Sequence, residues 1–301
     1  PAARVADVRE WALMTGDEID AIDRTRAVVV VACSPLEVHG PHLPVITDNY
    51  EAQFLAVAAM DRVAEQHPEI VFLRLPPIFV AADVLPHVGS VMFRQSTIIA
   101  VLEDLGRSLA KQGFRNIWVS SFHGGPRHFV SIETACDRVN RRYDARMVSV
   151  FSLLINQITG GETDLADVFD GVAGLRRDHL VGDSHGGAVE TSIMMHALPG
   201  SVRDNHRELP RRTVDLRLQE QGKPVLGHPG VRPSVRRIFA GLSAKLHYYA
   251  AETYSGNPSI ASEPAGEQMV EILAQRAGDA LAKVWRGEIP WSACHSPVWK
   301  A

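Results

Sequence analysis

The chain has 301 residues, 46% of them hydrophobic, which is enough apolar material to bury a substantial core. Its net charge is only −4, and no basic stripe or block of like charges points to nucleic acid. No apolar run approaches membrane-spanning length, so we expect no membrane partner. Together, length, composition and charge predict a single domain over residues 1–301 that acts on a small molecule and binds no nucleic acid.

Cysteine usage and the first residues indicate the compartment. Cys33, Cys136 and Cys294 are far apart and have no C-x-x-C spacing, which argues against a disulfide framework and against a thiolate zinc site. The first ten residues, P-A-A-R-V-A-D-V-R-E, lack the apolar core of a signal peptide. We therefore expect a cytoplasmic protein.

Strands and helices are predicted to alternate along most of the chain, after a charged, partly helical lead-in over Val5 to Thr25. Apolar runs bounded by breakers predict strands at 27–33, 70–75, 115–120 and 147–151. Helical periodicity predicts helices at 47–66, 96–113, 127–143 and 263–285, the first two capped by Thr47 and Ser96. This order predicts an α/β fold with a mostly parallel sheet and helices on both faces.

Three segments lack this regular pattern. Residues 152–182 are polar and Gly-rich and are interpreted as a lid. Residues 203–250 include a basic, Pro-containing and poorly periodic stretch, which we interpret as an excursion or an oligomer contact. The tail over 290–299 carries two tryptophans and Cys294 and is expected to dock on a neighbour or on the core.

The most informative loop follows the first predicted strand. It carries Glu37, His39, His42 and Asp48 within a few positions of the breaker Ser34-Pro35. Solvated loop residues are the simpler interpretation, but alternation with Leu36 and Val38 points Glu37 and His39 to one side of an extended chain. The carboxyl edge of a parallel sheet is where α/β proteins place their sites, so we favour a metal or catalytic site here.

Two further segments bring ionisable groups to the same edge. His123 follows the third predicted strand and is succeeded by Gly124 and Gly125. His185-Gly186-Gly187 precedes a short predicted helix that carries Glu190. The paired glycines are predicted to let substrate or backbone approach without an intervening side chain.

A pair of divalent cations is the chemistry that these groups share. In a two-metal hydrolase a carboxylate bridges ions about 3.5 to 4 Å apart and a water between them is activated. One predicted ligand set is Glu37, Asp48 and His123; the other is His39, Asp48 and Glu190, with Asp48 shared. Mixed imidazole and carboxylate ligands favour two zinc ions, with manganese or iron as the other choices.

Several motifs resemble the creatininase (creatinine amidohydrolase) family. The segment E-x-H-G-x-H-L-P-x-x-T-D over 37–48 is similar to the family signature, and His123-Gly124-Gly125 to its G-H-G-G-N segment. Residues 185–192 resemble its H-A-G-x-x-E-T-S segment, and residues 256–266 its late G-D-P loop. The match spans about residues 27–285, and the first motif is the most specific.

The resemblance implies a three-layer α/β sandwich, a binuclear metal centre, hydrolysis of a small cyclic amide or formamide, and a homo-oligomer, often a hexamer. By that resemblance Glu37, His39, Asp48 and His123 are metal ligands, and His185 matches the catalytic histidine that protonates the leaving group or holds the tetrahedral intermediate. Creatinine hydrolases take a further ligand two residues after the His123 equivalent. Gly125 stands there, so Glu190 is expected to complete the second site.

Departures from the family pattern bear on the substrate. The loop after the third predicted strand differs from the family pattern at Ser121, Phe122 and Pro126. We expect this loop to line the substrate pocket, with Ser121, Gly124 and Gly125 as substrate-binding residues. No tryptophan occurs between Trp118 and Trp285, which argues against creatinine, since creatinine-specific members enclose the ring with tryptophans. A ring-opening C–C hydrolase of a cyclic polyol ketone such as 3-dehydro-scyllo-inosose is the alternative, and a non-catalytic binding or scaffold relative is a second one.

The remaining histidines receive weaker assignments. His42 lies inside the signature, where contact with a ligand or substrate and a purely structural role are both open. His87 could line the pocket, although a surface position is favoured, and His128 is expected in a structural role. His179 and His228 could reach the site from the lid or a neighbouring subunit, but nothing in the spacing assigns them. Cys33 ends the first strand and is expected to be a buried small residue.

Overall fold

Five strands form a parallel sheet at the centre of the molecule. The computed structural model describes residues 6–159, 165–223, 243–296 and 299. The strands are β1 (Asp7–Glu10), β2 (Ala27–Ala32), β3 (Val71–Arg74), β4 (Asn116–Ser120) and β5 (Arg146–Ser149). They are arranged β1-β3-β2-β4-β5, and each neighbouring pair is parallel. The predicted α/β fold is confirmed.

Four long helices flank this sheet, and shorter ones connect them. The longer helices are α2 (Thr47–Gln66), α3 (Gln95–Lys111), α4 (Pro126–Arg142) and α10 (Glu263–Trp285). The shorter ones are α1 (Gly16–Asp20), α5 (Val150–Thr159), α6 (Leu165–Val168), α7 (Arg177–Leu180), α8 (Ala188–Ala197) and α9 (Val214–Glu220). Single 3₁₀ turns lie at Trp11–Leu13, Asp204–Glu208, Pro258–Ile260 and Trp291–Ala293.

Alternate residues of β2 face two different cores. Val29 and Val31 pack in the cluster that also contains apolar residues of α3 and α4. Val28 and Val30 pack on the other side, with apolar residues of α2 and α10. Because side chains alternate across a strand, an apolar run buried on both faces is the pattern of a central parallel strand. The result is three layers, helices on either side of the sheet.

The strand order creates a crevice beside β2. The chain leaves β2 and enters β3 on one side of it, then crosses to β4 on the other side. At such a switch point the loops after neighbouring strands diverge and leave room for a ligand. The loops after β2, β3 and β4 therefore meet at one edge.

Predicted element ends were wrong at several points. The lead-in contains β1 at the sheet edge, which the sequence analysis missed. Thr47 is the first residue of α2 rather than its cap, and its hydroxyl donates to the Pro44 carbonyl at 2.7 Å. Ser96 likewise lies inside α3, whose N-cap is Arg94. The predicted helix stop at Gly113 is confirmed, since this residue adopts φ +86°.

The described parts of the three irregular segments contain helices. The described part of 152–182 contains α5 to α7, and Phe169 and Leu180 are buried against Ile193 of α8. In 203–250, residues 224–242 lie outside the described residues, whereas α9 and residues 243–249 are helical. The tail docks on the core of this chain, where the Ser296 amide donates to Glu133 of α4 at 2.5 Å.

None of the helices in the described ranges combines the length and the apolar character that crossing a membrane requires.

Candidate metal centre

Groups from separate loops converge at the carboxyl edge of β2. Glu37 and His39 lie in the loop after β2, Asp48 in the first turn of α2, His123 in the loop after β4, and Glu190 in the first turn of α8. Their candidate ligand atoms form three overlapping groups, each with all atoms within 4.8 Å of one another. These groups are Glu37, Asp48 and His123; His39, Asp48 and Glu190; and Glu37, His39 and His185.

Asp48 lies between the first two groups. Its Oδ1 is 3.0 Å from His39 Nε2, and its Oδ2 is 3.2 Å from His123 Nδ1. Glu37 Oε2 lies 3.0 Å from the same His123 nitrogen, and Glu190 Oε2 lies 3.7 Å from His39 Nε2. Each carboxylate oxygen of Asp48 thus faces a different set of candidate metal-ligand atoms, which is the arrangement of a carboxylate that bridges two cations.

Both histidines are oriented by backbone carbonyls. His39 Nδ1 donates to the carbonyl of Glu37 at 2.9 Å, which turns Nε2 toward Asp48. His123 Nε2 donates to the Ala82 carbonyl at 3.0 Å, which turns Nδ1 toward the carboxylates. Metal-binding histidines usually have such a partner on the second ring nitrogen, because it fixes the tautomer and the ring orientation.

Unpaired buried oxygens show that the residues fit a cation. Glu37 Oε2 and Asp48 Oδ2 are buried and have no hydrogen-bond partner among the described residues, although His123 Nδ1 is close to both. Buried carboxylate oxygens without partners are costly unless paired or bound to metal. The other Glu37 oxygen accepts from the Leu85 amide at 2.6 Å, which holds the carboxylate in place.

Without a cation, protons on the histidines balance the carboxylates. Burial opposes a charge on His39, yet Asp48 and Glu190 raise the pKa of this imidazole to about 10. The pKa of His123 is also raised well above its usual value despite its burial, chiefly by Glu37. For Asp48, burial works in the opposite direction, but the charge on His39 holds the pKa of this carboxyl well below its ordinary range. Bound metal would displace these protons.

His185 lies next to the ligands but has a different environment. Its ring stacks on His39 with centroids 4.0 Å apart, and its Nε2 donates to the Val38 carbonyl at 2.8 Å. Burial lowers the pKa of His185, and the neighbouring His39 charge lowers it further. The ring is therefore neutral with its proton on Nε2, which leaves Nδ1 as a proton acceptor.

The loop before α8 is held by Asp183, which the sequence analysis did not select. Asp183 Oδ2 accepts from the Ala188 amide at 2.6 Å. A Cβ on Gly187 or Gly256 would overlap this carboxylate, so both glycines are needed for the close approach. The Gly186 amide in turn donates to Glu190 Oε2, which fixes the glutamate beside His39. No sequence signal beyond the motif itself singles out Asp183.

The two glycines of the first H-G-G segment have different surroundings. Gly125 is buried, and a Cβ there would lie 2.5 Å from His123 Nε2 and 2.6 Å from Asp83 Cβ. Gly124 is exposed, with open space around an added Cβ among the described residues. The Ser121 hydroxyl is buried and bonded to Ser34 and His128. Substrate contact by these three residues stays a prediction.

Three of the other histidines bond to residues around the centre. His42 Nε2 bonds to Thr191 Oγ1 at 2.9 Å, and burial lowers its pKa to about 4. Burial lowers the pKa of His128 to about 3, and this ring contacts the carbonyl of Cys33 at 3.1 Å through Nε2. His87 Nε2 donates to the Tyr249 carbonyl at 2.8 Å. Substrate contact by His42 stays a prediction, His128 has the expected structural environment, and His228 lies outside the described residues.

Two residues near the centre were missed from sequence. Glu51 lies one turn after Asp48 on α2, fully buried, with both oxygens unpartnered among the described residues. Burial raises the pKa of Glu51 well above its usual value, and the charges on Glu190 and Asp48 add to this. The spacing from Asp48 to Glu51 is the only signal that indicates Glu51. Tyr249 packs against His185 with ring centroids 5.8 Å apart, and no local pattern indicates it.

A protein-family comparison agrees with the motif assignment. A family model described as creatininase, creatinine amidohydrolase, matches residues 12–281. No curated protein gives a significant match to the chain.

Solved structures share the fold. A Bacteroides fragilis NCTC 9343 protein assigned as a creatinine amidohydrolase is 20% identical, with a TM-score of 0.62 over 94% of this chain and 98% of its own. A creatininase is 19% identical, with a TM-score of 0.61 over 92% and 97% of the two chains. Fourteen chains match significantly in all.

Metal forms occur among these neighbours. A Zn–Zn form of a creatininase variant is 19% identical, with a TM-score of 0.56 over 93% of this chain and 98% of its own. A manganese form of creatininase is 18% identical, with a TM-score of 0.55 over 95% and 99% of the two chains. At these identities the likeness shows the fold and not the reaction.

Proposed function

The chain belongs to the creatininase family, and from this premise we propose that it is a binuclear metal-dependent hydrolase of a small cyclic amide or formamide. The observation that carries the proposal is the position of Asp48, whose two oxygens face two separate sets of nitrogen and oxygen donors. A carboxylate with one oxygen facing each set can bridge two cations, which supports the proposal of two ions.

The chain's residues divide into two groups of ligands. Glu37, Asp48 and His123 would hold one ion, and His39, Asp48 and Glu190 the other. Divalent cations bound there would polarise a carbonyl group and lower the pKa of water. Imidazole with carboxylate suits zinc or manganese, the metals of two neighbouring creatininase structures, and is also compatible with iron.

Proton transfer falls to His185. Its neutral ring is fixed by the Val38 carbonyl and stacks on His39, so Nδ1 can take a proton from the attacking water. The oxygen of that water adds to the carbonyl carbon, and the same nitrogen then gives the proton to the departing nitrogen as the C–N bond breaks. The products are a ring-opened carboxylate from a cyclic amide, which for hydantoin and dihydrouracil is an N-carbamoyl amino acid, or formate and an amine from a formamide.

Incubation with a defined panel tests this proposal. The zinc- or manganese-loaded protein is incubated with hydantoin, dihydrouracil, N-formylaniline, creatinine and 3-dehydro-scyllo-inosose, and products are measured by mass spectrometry. We expect addition of one water to a cyclic amide or release of formate, with little turnover of creatinine. Asp48→Ala is the control for metal dependence.

The panel also separates the competing activities. Hydrolysis of 3-dehydro-scyllo-inosose alone would replace C–N cleavage by ring-opening C–C cleavage. If a chain that holds two ions turns over none of these compounds, the hydrolase proposal is contradicted for this panel. A binding or scaffold relative is then favoured. A homo-oligomer and a cytoplasmic location remain part of the proposal, with size-exclusion chromatography coupled to light scattering as the test of the first.

A further inference from the structure

Tyr249 is carried to the metal centre by a segment that is remote in sequence. It lies at the end of helical residues 243–249, and its carbonyl accepts from His87 Nε2 at 2.8 Å. A few residues later, the Thr253 carbonyl accepts from the Gly40 amide at 2.7 Å, within the signature loop. Contacts at Tyr249 itself and at Thr253 thus fix this segment against loops that surround the candidate ligands.

The Tyr249 ring continues a row of rings that starts at the ligands. His185 stacks on His39, and the Tyr249 ring meets His185 at 78° with centroids 5.8 Å apart. Tyr249 is only half-buried, and its hydroxyl lies 3.0 Å from the hydroxyl of the exposed Ser184. The phenol therefore lies between His185 and the exposed Ser184, in reach of a molecule bound beside His185.

Neighbouring tyrosines have hydroxyls that are used for structure. The Tyr248 hydroxyl donates to the Tyr254 carbonyl at 2.9 Å, and the Tyr254 hydroxyl donates to the Pro210 carbonyl at 2.8 Å. Tyr249 instead lies against the hydroxyls of Ser184 and Ser255, and hydroxyl groups can rotate to offer a donor or an acceptor to a ligand. Burial raises the pKa of Tyr249 to about 12, with carboxylates Glu190 and Glu37 adding to this, so the phenol stays a donor.

We propose that Tyr249 is a substrate-binding residue whose hydroxyl donates a hydrogen bond to an oxygen of the molecule bound beside His185. This inference rests on the proposed hydrolase function and narrows its substrate class. The preferred substrate carries a carbonyl or hydroxyl oxygen on the ring in addition to the carbonyl under attack. Ser184 holds the phenol in the orientation that reaches this oxygen.

Steady-state kinetics of Tyr249→Phe test the inference. The substrate is whichever of hydantoin, dihydrouracil and 3-dehydro-scyllo-inosose the wild type turns over fastest, because each carries a second oxygen on the ring. Faster turnover of N-formylaniline or creatinine than of all three would contradict the inference. Loss of one hydrogen bond to substrate is expected to raise KM about three- to tenfold, with zinc content and melting temperature unchanged. The matched control is Tyr143→Phe. Tyr143 is also half-buried but packs against the core between the sheet and helices α3 and α4, so this variant should leave KM unaltered.

Ser184→Ala and the double variant add a second measurement. If Ser184 orients the phenol, the double variant has the same KM as Tyr249→Phe, since the two changes remove one interaction. An unchanged KM in Tyr249→Phe overturns the inference while the hydrolase proposal stands. A wild type that holds zinc but hydrolyses none of the compounds removes the hydrolase proposal for them, and this inference with it.

Discussion

His39 Nε2 lies 3.7 Å from Glu190 Oε2, although the two residues belong to loops that are far apart in sequence. The contact depends on Gly186, whose positive φ of +55° and close approach to the His39 backbone bring the α8 loop against the signature loop. Glu190 thereby approaches the same His39 nitrogen that Asp48 contacts.

Glu190→Gln is expected to lower the zinc content from about two to about one equivalent per chain. The amide can still accept from the Gly186 backbone, so the loop is retained, but one anionic ligand is lost from the His39 set. Metal analysis after dialysis measures this. Glu65→Gln on the exposed side of α2 is the matched control and should keep two zinc ions per chain. Two ions retained by Glu190→Gln would assign the second site to other residues.

The glycine pair after His123 gives a matched comparison of stability. Gly125→Ala is expected to destabilise the protein by about 1–3 kcal/mol and to weaken zinc binding, because the added Cβ would push on His123 Nε2 and on the Ala82 carbonyl. Gly124→Ala has open space and should change neither property. Thermal unfolding and zinc titration of both variants check this. Equal behaviour of the two would show that His123 is not held by this packing.

His185→Ala is expected to retain both ions and to lose about 10²- to 10⁴-fold in kcat. The reason is that the ring is tied to Val38 and offers only Nδ1 for proton transfer, whereas five other residues supply the two ligand sets. Zinc content and turnover are measured on the same preparation. Loss of zinc in this variant, with both ions kept in Glu190→Gln, would exchange the roles of the two residues.

The metal-free protein should become less stable as pH rises above neutrality. The folded-state pKa of His39 is raised to about 10 and that of His123 is raised as well, so their contribution is full below about pH 6.5. This contribution to the free energy of unfolding is lost as pH rises through the folded-state pKa values. We expect a loss of at least about 1 kcal/mol between pH 7 and 10. Urea unfolding across this range measures the loss, and His39→Gln should flatten the profile. A flat wild-type profile would contradict the assignment of these charges.

Local patterns predicted the core of the fold and the residues whose side chains converge at the candidate centre. Runs such as Ala27–Ala32 and the periodicity of α2, α3 and α10 are properties of single segments, so they can be read without tertiary information. The short, half-exposed β1 has no such run, and only pairing with β3 makes it a strand. The apolar start of α5 reads equally well as the end of a strand.

The parts of the site that sequence did not predict depend on long-range contacts. Asp183 matters because Gly187 and Gly256 pack on its carboxylate, and Tyr249 because a distant segment places it beside His185. Nothing in the neighbouring sequence of either residue encodes these contacts. Glu51 differs from these two residues, because its spacing of three residues from Asp48 on α2 can be seen in the sequence. Its complete burial can be seen only in the structure.

The metal content of the wild type and of Asp48→Ala, reconstituted with zinc and analysed by mass spectrometry, tests the shared-aspartate centre most directly. We expect close to two zinc ions per wild-type chain and loss of both in Asp48→Ala, because this carboxylate belongs to both ligand sets. One ion or none in the wild type, or two ions retained without Asp48, would contradict a centre built around that residue.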